Sequence, residues 1–411
     1  MFKWLLSTLL LFSGLAGATE KNQLVILTTY NPAHLSPSID SFRQQHPQLD
    51  VQVLQRRESD GLALLSTPNH GIDVVFSSST RLFQPLTEQN ALVPVRHMIA
   101  ERGIHDTEQV AVLGYSGCGM IWNQRYLDRH QLPPPEQWEM LSNALYHDHL
   151  VMSSPSRSTT THQMVENLLQ RHGWDQGWQI LLQVGGNLNA VTANSERVSN
   201  IIASGQAGIG LVIDSYAKAQ QALFPFVEFR YQPKSLILPG FIAALDRSAD
   251  DPAGQLFVRF MLSDDIQARI HEAPLYKMSR NQQPDFGVSP FPLDHLLLQQ
   301  RAMLVQQLFD LSISKQLPLL SQAWRLIHEI RQSGDLSDSQ QTQLALAVAL
   351  ASTPVINAEQ ASSPRFTALN DPIHDAAAAQ IFEQLQQTMS QQLQKSILLS
   401  QEILMAQRQT P

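Results

Sequence analysis

Residues 23–32 read QLVILTTYNP, an apolar run followed at once by polar residues and a proline. The run Gln23–Leu27 is typical of a strand buried on both faces of a sheet. Similar apolar runs at 51–54 and 73–76 lie in a stretch, 19–111, that alternates strands with helix-like segments. This alternation predicts an α/β fold built on a mostly parallel sheet.

Hydroxyl-rich loops follow two of the predicted strands. The first loop reads TTYN at 28–31, and the second reads SSST at 77–80. The carboxyl ends of parallel strands lie at one edge of a sheet, and ligands of open α/β sheets bind outside that edge. We therefore expect these loops to face a ligand through Thr29, Tyr30, Ser77 and Ser78.

The chain is long enough to form more than one domain, since 411 residues exceed the size at which single cores stop growing. A glycine-interrupted segment at 109–123 is typical of a strand that passes between two lobes, and residues 235–245 are predicted to return as a strand pair. The predicted organisation is a signal peptide at 1–18, the first part of lobe 1 at 19–112, lobe 2 at 113–234, a return to lobe 1 at 235–293 and a helical C-terminal region at 294–411.

The last predicted helix, at 376–407, has one apolar face in a glutamine-rich background. Its apolar residues are spaced three or four apart, which predicts a helix lying on a globular body rather than a coiled coil. These residues are Phe382, Leu385, Met389, Leu393 and Ile397.

The N-terminus is typical of an exported bacterial protein. Lys3 precedes an apolar run at 4–12, and Ala16-Gly17-Ala18 matches a cleavage site for a signal peptide. The apolar run is too short to span a bilayer, so a membrane anchor is the weaker interpretation. With Cys118 as the one cysteine there is no internal disulfide. These features predict a mature periplasmic chain that begins at Thr19 and is not embedded in the membrane.

Residues 151–162 read VMSSPSRSTTTH and join a predicted strand to a predicted helix. The free N–H groups and the positive dipole end of a helix N-terminus attract anions, and an arginine binds carboxylate or phosphate with two hydrogen bonds. The sequence thus predicts an anion site formed by Ser154, Ser156, Arg157, Ser158 and Thr159. The alternative is that Ser158 or Thr159 only caps the helix and Arg157 points into water.

The tripeptide 214–216, Asp-Ser-Tyr, also lies between a predicted strand and a predicted helix. Ser215 and Tyr216 are candidate ligand donors. A carboxylate would repel an anion, so we expect Asp214 to cap the helix instead.

The overall charge argues against some classes of protein. The formal net charge is −8, or −9 without Lys3, which disfavours a nucleic-acid partner because binding to phosphates requires an excess of Lys and Arg. Neither a metal-binding motif nor a phosphate-binding P-loop motif occurs, so no metal or cofactor is expected.

A hydrolase is the alternative from a different class. Residues 114–118, Gly-Tyr-Ser-Gly-Cys, approximate the nucleophile motif G-x-S-x-G, but Cys118 stands where the second glycine is required. The context also predicts a strand rather than a strand-to-helix turn. We therefore assign no catalytic residue and expect a binding protein, with Ser116 or Cys118 as the nucleophile of the minor alternative.

Several segments of the sequence resemble a known family. The most specific of them is 151–158, which reads VMSSPSRS. The chain resembles phosphoglycerate transport regulatory proteins of the PgtC type, within the extracellular type II solute-binding proteins. The other matching positions are His162, 164–166, 173–174, 177–178, 186–188, 212–214 and 216–217.

This resemblance implies a two-lobed type II periplasmic-binding-protein fold, here with a helical C-terminal extension. It also implies a small anionic solute such as a phosphoglycerate, bound in the cleft, and a membrane sensor kinase as the partner that induces uptake. The alternative within the same class is the receptor of an ABC importer, with an ABC permease as partner, for another anion or a ferric chelate. The resemblance assigns no ligand residues, and it does not explain the tail after Pro372.

Overall fold

The computed structural model describes residues 22–99, 103, 105–246, 252–370 and 376–409. The predicted signal peptide at 1–18 lies outside these residues. The strands of the described chain are β1 (Asn22–Thr28), β2 (Leu49–Gln55), β3 (Val74–Ser77), β4 (Ala111–Asn123), β5 (Leu150–Ser153), β6 (Leu188–Thr192), β7 (Ile209–Ile213), β8 (Val227–Tyr231), β9 (Ile237–Ala244) and β10 (Met278–Ser279).

Short 3-10 turns and a π-helical turn at Asp310–Ser314 complement the α-helices. The α-helices are α1 (Ser36–Gln45), α2 (Glu58–Leu65), α3 (Gln84–Glu88), α4 (Gln124–His130), α5 (Thr159–His172), α6 (Trp174–Gly186), α7 (Ser195–Ala203), α8 (Asp214–Leu223), α9 (Ala253–Leu262), α10 (Asp264–Arg269), α11 (His295–Gln300), α12 (Ala302–Phe309), α13 (Leu317–Gln332), α14 (Asp338–Ser352), α15 (Ala358–Ala361), α16 (Pro364–Thr367) and α17 (Ala376–Gln409).

The predicted strands around 23–27, 51–54, 73–76 and 150–152 are confirmed, and they form one continuous sheet of mixed direction. Its strand order is β2-β1-β3-β9-β4-β7-β5-β6, with β8 and β10 also paired to β4. β1 is parallel to β2 and β3, and β5 is parallel to β6 and β7. Every pairing of β4 and β9 is antiparallel, so the prediction of a mostly parallel sheet was wrong at the centre of the molecule.

The long strand β4 joins two halves of the sheet. Its residues 111–117 pair with β9, and its residues 118–122 pair with β7. Glycine is required at position 119, because a Cβ there would lie 2.2 Å from the carbonyl oxygen of Arg230 on β8. The glycine-interrupted segment is therefore a strand that crosses between the two halves, as the sequence indicates. The exact lobe boundaries stay a prediction.

The predicted strand pair at 235–245 is a single strand. β9 pairs with β4 through residues 237–242 and with β3 through residues 241–244. Pro239 and Gly240 suggested a turn, but both residues lie inside the ladder with β4. The strand therefore continues where the sequence pattern predicted a reversal.

The helical C-terminal region shares a hydrophobic core with the second half of the sheet. Trp324 of α13 packs on Gly186 of α6, where a Cβ would lie 2.1 Å from the indole. The guanidinium of Arg301 forms a buried ion pair with Glu166 of α5 at 2.7 Å. The predicted apolar face of α17 is buried, since Met389 and Leu393 are 0% exposed. The prediction that this helix lies on a globular body is confirmed.

Candidate functional site

A cavity of about 1950 Å³ lies where the loops of the two halves meet. Four helices begin at it: α2 from the first half, and α5, α7 and α8 from the second half. Helices α12 and α17 of the C-terminal region form a further wall. Since each helix N-terminus carries free N–H groups and a partial positive charge, the cavity is electrostatically suited to an anion.

Eight of the eleven predicted ligand residues line this cavity. They are Thr29, Tyr30, Ser78, Ser156, Arg157, Ser158, Thr159 and Tyr216. The other three, Ser77, Ser154 and Ser215, are buried beside it and do not contribute to its lining. Loops distant in sequence therefore converge as the strand-end argument predicts, whereas contact of each residue with a ligand stays a prediction.

The hydroxyls of Ser154 and Ser156 are hydrogen-bonded to the carboxylate of Asp310. Ser154 Oγ donates to Asp310 Oδ1 at 2.6 Å, and Ser156 Oγ donates to Asp310 Oδ2. Ser314 Oγ donates to the same carboxylate at 2.8 Å. Asp310 lies in the π-helical turn after α12, so these bonds fasten the C-terminal region to the loop before α5.

The remaining residues of that loop face the cavity at the start of α5. Ser158 is the N-cap, because its Oγ accepts from the N–H of Thr161 at 3.3 Å. The N–H groups of Thr159 and Thr160 belong to the first helical turn, where they have no intrahelical acceptor. The exposed Arg157 side chain lies at the cavity beside them. Capping and an anion site are therefore compatible readings of this stretch.

Tyr30 lines the cavity, and its hydroxyl is buried. Its ring stacks on Phe76 with centroids 4.6 Å apart. Within the described part of the chain, the hydroxyl has no hydrogen-bond partner at bonding distance. Burial raises the pKa of the Tyr30 phenol, with a smaller opposing effect of Ser78. The phenol thus keeps its proton near neutral pH.

The cavity also contains residues that the sequence analysis missed. From the first half come Arg56, Arg57 and Arg81, the last paired with Glu58 at 2.9 Å. The start of α7 adds Asn194 and Ser195, and the C-terminal region adds Lys315. Asn194 is an N-cap that accepts from the N–H of Arg197 at 2.9 Å. The segment TANSE at 192–196 had the same strand-to-helix signature as the loops that were recognised.

Asp214 has a different role from the one expected. It is the first residue of α8, with Ile213 at the N-cap position, and its side chain does not cap the helix. Its Oδ2 accepts from the N–H of Gly117 at 2.9 Å and from the hydroxyl of Tyr231 at 2.9 Å. The capping prediction was wrong, because the Asp214 carboxylate is hydrogen-bonded to a buried strand and a neighbouring tyrosine and not to the helix end.

The geometry around Ser116 and Cys118 does not support the hydrolase alternative. Both residues lie in the uninterrupted strand β4, are buried, and do not line the cavity. Ser116 Oγ accepts from Lys277 Nζ at 2.9 Å, a serine–lysine pair that lacks access for a substrate. Burial raises the pKa of the Cys118 thiol. A buried thiol that stays protonated is a poor nucleophile.

Contacts beside the cavity join the two halves. Asn31 Nδ2 donates to both carboxylate oxygens of Glu196, at 2.9 and 3.0 Å. The rings of His34 and Tyr216 lie 5.0 Å apart. Gln163 Nε2 donates to the carbonyl oxygen of Ser78 at 3.3 Å. The two halves are therefore held together by side-chain contacts as well as by the sheet.

A two-lobed fold with a cleft of this kind defines a solute-binding protein. Residues 76–286 match the family described as bacterial extracellular solute-binding protein, and the chain belongs to that family. It is 34% identical over 323 residues to the phosphoglycerate transport regulatory protein PgtC of Salmonella typhimurium, an alignment that covers 74% of this chain and 80% of the relative.

Solved structures of binding proteins share the fold. The substrate-binding protein of an ABC transporter from Agrobacterium tumefaciens superposes with a TM-score of 0.61 at 15% identity, covering 71% of this chain and 95% of that one. The periplasmic binding protein AfuA of Actinobacillus pleuropneumoniae, with exogenous fructose-6-phosphate bound, superposes with a TM-score of 0.56 at 14% identity, covering 76% and 100%.

The described residues contain neither a membrane-spanning helix nor a cluster of metal ligands. Their helices include none that is long and apolar enough to cross a bilayer. Over the same residues, no group of three His, Cys, Asp or Glu side chains is arranged to hold a metal ion.

Proposed function

We propose that this protein is a periplasmic receptor for a small phosphorylated acid of the phosphoglycerate type, and that it reports the bound solute to a membrane sensor kinase. The observation that carries the proposal is the convergence of four helix N-termini on a cavity that Arg157 also lines. A phosphate and a carboxylate on one small molecule would supply acceptors for donors on both halves of the protein.

Two features of similar proteins support the solute class and the regulatory role. The relative with 34% identity is described as regulating phosphoglycerate transport. The AfuA structure holds a phosphorylated sugar in a related fold. The predicted signal peptide at 1–18 supports a periplasmic location.

The solute is identified by a thermal-shift panel on the mature chain. The panel contains 3-phosphoglycerate, 2-phosphoglycerate, phosphoenolpyruvate, phosphate, sulfate, a ferric chelate and a polyamine. Because a saturating ligand stabilises the state that binds it, we expect a concentration-dependent rise in Tm with at least one phosphorylated acid. A rise only with the ferric chelate or the polyamine would contradict the proposed solute class.

Replacing Arg157 tests the place of binding. Arg157→Ala removes a guanidinium that lines the cavity, and we expect the dissociation constant for the best phosphorylated acid to rise by roughly tenfold or more. Isothermal titration calorimetry measures this change. The control is Arg129→Ala, which removes the same charge from an exposed position on α4, away from the cavity lining. Equal affinities of the two variants would place the solute elsewhere.

A genetic experiment separates a sensor role from an importer role. A regulatory receptor is dispensable when the uptake genes are expressed from a constitutive promoter, whereas the receptor of an ABC importer is still required. Uptake of labelled solute by a deletion strain with constitutive uptake genes therefore distinguishes the two. Loss of uptake in that strain would favour the importer.

A further inference from the structure

The lining of the cavity has a surplus of positive charge, although the protein as a whole is negative. The formal net charge of the chain is −8. The cavity is lined by more basic than acidic side chains. The basic residues are Arg56, Arg57, Arg81, Arg157 and Lys315, and the acidic residues are Glu58, Asp60 and Glu383. A surplus of one sign of charge in a cleft concentrates the electrostatic field there. The cavity therefore attracts anions that the rest of the surface repels.

This surplus is divided between the two halves of the protein. On the first half, three arginines face two carboxylates, and Arg81 is neutralised by its ion pair with Glu58 at 2.9 Å. On the second half, Arg157 is the charged residue of the described lining. On the C-terminal wall, the charges of Lys315 and Glu383 cancel. Each half therefore presents a positive charge that the lining does not balance, which suits a solute with two separate anionic groups.

Arg57 and Arg157 have the guanidinium groups that are available to such a solute. Both side chains are exposed, and neither guanidinium has a hydrogen-bond or ion-pair partner among the residues that the structure describes. Arg56 instead donates to the carbonyl oxygen of Gln55 at 2.8 Å. An unpaired guanidinium can form two parallel, charge-assisted hydrogen bonds to one carboxylate or phosphate.

A series of contacts brings the two arginine-bearing walls close to each other. The starts of α5 and α7 are adjacent, since Ser158 Oγ and Ser195 Oγ lie 3.5 Å apart. Glu196 of α7 accepts two hydrogen bonds from Asn31, in the loop after β1. The N–H of the residue before Arg57 donates to the end of β1 at 2.9 Å. The starts of α2, α5 and α7 are therefore held around one space.

The donors on the second half are suited to a phosphate. Asp310 already binds the hydroxyls of Ser154 and Ser156, so the donors available to a solute begin later in the loop. The hydroxyls and N–H groups of Thr159 and Thr160 have no hydrogen-bond partner in the described part of the chain. A phosphate group has three strong acceptor oxygens and is bound well by several donors at a helix N-terminus.

The first half is suited to a carboxylate. Asp60 is exposed and lines the cavity three residues after Arg57. Its negative charge repels a doubly charged phosphate more strongly than a singly charged carboxylate. The planar guanidinium of Arg57 matches the two oxygens of a carboxylate.

We infer that Arg57 selects for solutes with a carboxylate, which it binds from the first half while Arg157 and the start of α5 bind the phosphate from the second half. A solute held at both ends favours the closed arrangement of the halves, whereas a phosphate ester without a carboxylate lacks the contact with the first half. This inference rests on the proposed function, since it assigns the two anionic groups of that solute to named residues.

Two solutes and two arginine variants form the test. 3-Phosphoglycerate, or the phosphorylated acid with the largest rise in Tm, carries both groups, and glycerol 3-phosphate carries a phosphate without a carboxylate. We expect Arg57→Ala to weaken binding of the acid by roughly tenfold and of glycerol 3-phosphate by less than about twofold. Arg157→Ala should weaken both by roughly tenfold. Titration calorimetry gives the affinities, with competition against the acid where glycerol 3-phosphate binds weakly.

Two further variants serve as controls. Arg96→Ala removes an exposed arginine of the first half that does not line the cavity, and should leave both affinities within about twofold. Arg57→Lys keeps the charge but loses the paired hydrogen bonds, so we expect a smaller loss for the acid than in Arg57→Ala. Circular dichroism and Tm establish that each variant is folded.

The outcomes separate the inference from the proposed function. Unchanged binding of the acid by Arg57→Ala, or an equal loss for the two solutes, would overturn the inference and leave the proposed function intact. Equal affinity of wild type for the two solutes would do the same, because no group would then recognise the carboxylate. If wild type binds none of the phosphorylated acids, the inference and the proposed function fail together.

Discussion

His162 in the second turn of α5 shows how the environment of one residue sets its charge. It is 2% exposed, and its Nε2 has no hydrogen-bond partner among the described residues. Burial lowers the pKa of His162 from 6.5 to about 3, and the charges of Arg81 and Arg301 act in the same direction. The imidazole is therefore neutral in the folded protein near neutral pH.

This shift predicts a loss of stability in mild acid. Because the pKa is lower in the folded state than in the unfolded state, the stability is fully present above pH 6.5 and falls as the pH drops towards 3. Between pH 7 and 5 the loss attributable to His162 is about 2 kcal/mol. We expect His162→Gln to reduce the dependence of the unfolding free energy on pH by this amount, as measured by urea denaturation.

The exposed His271 provides the control for that measurement. His271→Gln should leave the pH dependence unchanged. A His162→Gln protein with the same dependence as wild type would contradict the assignment of a neutral, buried imidazole.

The contacts of Asp310 show a second effect of the folded environment on single residues. The sequence predicted that Ser154 and Ser156 would bind an anionic ligand, whereas in the structure both hydroxyls are hydrogen-bonded to a carboxylate of the chain itself. Asp310 lies 156 residues after Ser154, in a helical pattern with no local sign of such a contact. Sequence spacing predicts chemistry that is local to a loop, whereas it carries no information on a partner so far along the chain.

Helices and strands were predicted correctly where the spacing of apolar residues in the sequence was regular. The helix α17, predicted at 376–407, lies close to those limits because an apolar stripe marked it, and a helix was correctly predicted after the loop that precedes α5. The continuous strand β9 was missed, because Pro239 and Gly240 ordinarily interrupt a strand. Tertiary pairing with β4 and β3 determines its conformation.

The packing of α17 leads to a prediction at this scale. Leu393 is 0% exposed, so Leu393→Ala should lower the unfolding free energy by about 2–5 kcal/mol through lost burial and a residual cavity. Leu398 of the same helix is 59% exposed, and Leu398→Ala should change stability by less than about 0.5 kcal/mol. Chemical denaturation compares the two. Equal effects would contradict the placement of α17 as part of the core.

At the scale of the whole molecule, the C-terminal helices and the second half of the sheet share one hydrophobic core. Their hydrogen bonds to the loop before α5 add to this attachment. Solute-driven closure would then move two bodies: the first half of the sheet, and the second half with its helices. Besides the shared strands of the sheet, side-chain contacts beside the cavity hold these bodies together.

The pair Asn31 and Glu196 provides the test of closure. Glu196→Ala removes an acceptor with two hydrogen bonds from the other half, so the closed arrangement should lose stability relative to an open one. We expect a larger radius of gyration without solute in small-angle X-ray scattering, and an affinity for the best phosphorylated acid that is roughly threefold to tenfold weaker.

The exposed Glu228 on β8 provides the matched control for this change of charge. Glu228→Ala should scatter and bind as wild type does. A Glu196→Ala protein with unchanged scattering and affinity would show that this contact does not bias closure.

The sequence by itself determined the α/β class, the crossing strand at 109–123, the helices of the C-terminal region and the loops that line the cavity. These features follow from local periodicity, glycine spacing and capping residues, whose effects act over a few positions. Only the tertiary structure decided that β9 is one strand and that Asp214 binds β4 instead of capping α8. The same holds for the hydrogen bonds of Asp310 to Ser154 and Ser156, and for the contact of Lys277 with Tyr30. Each of these depends on a partner far along the chain, and the choice among such partners is made by burial and pairing in three dimensions.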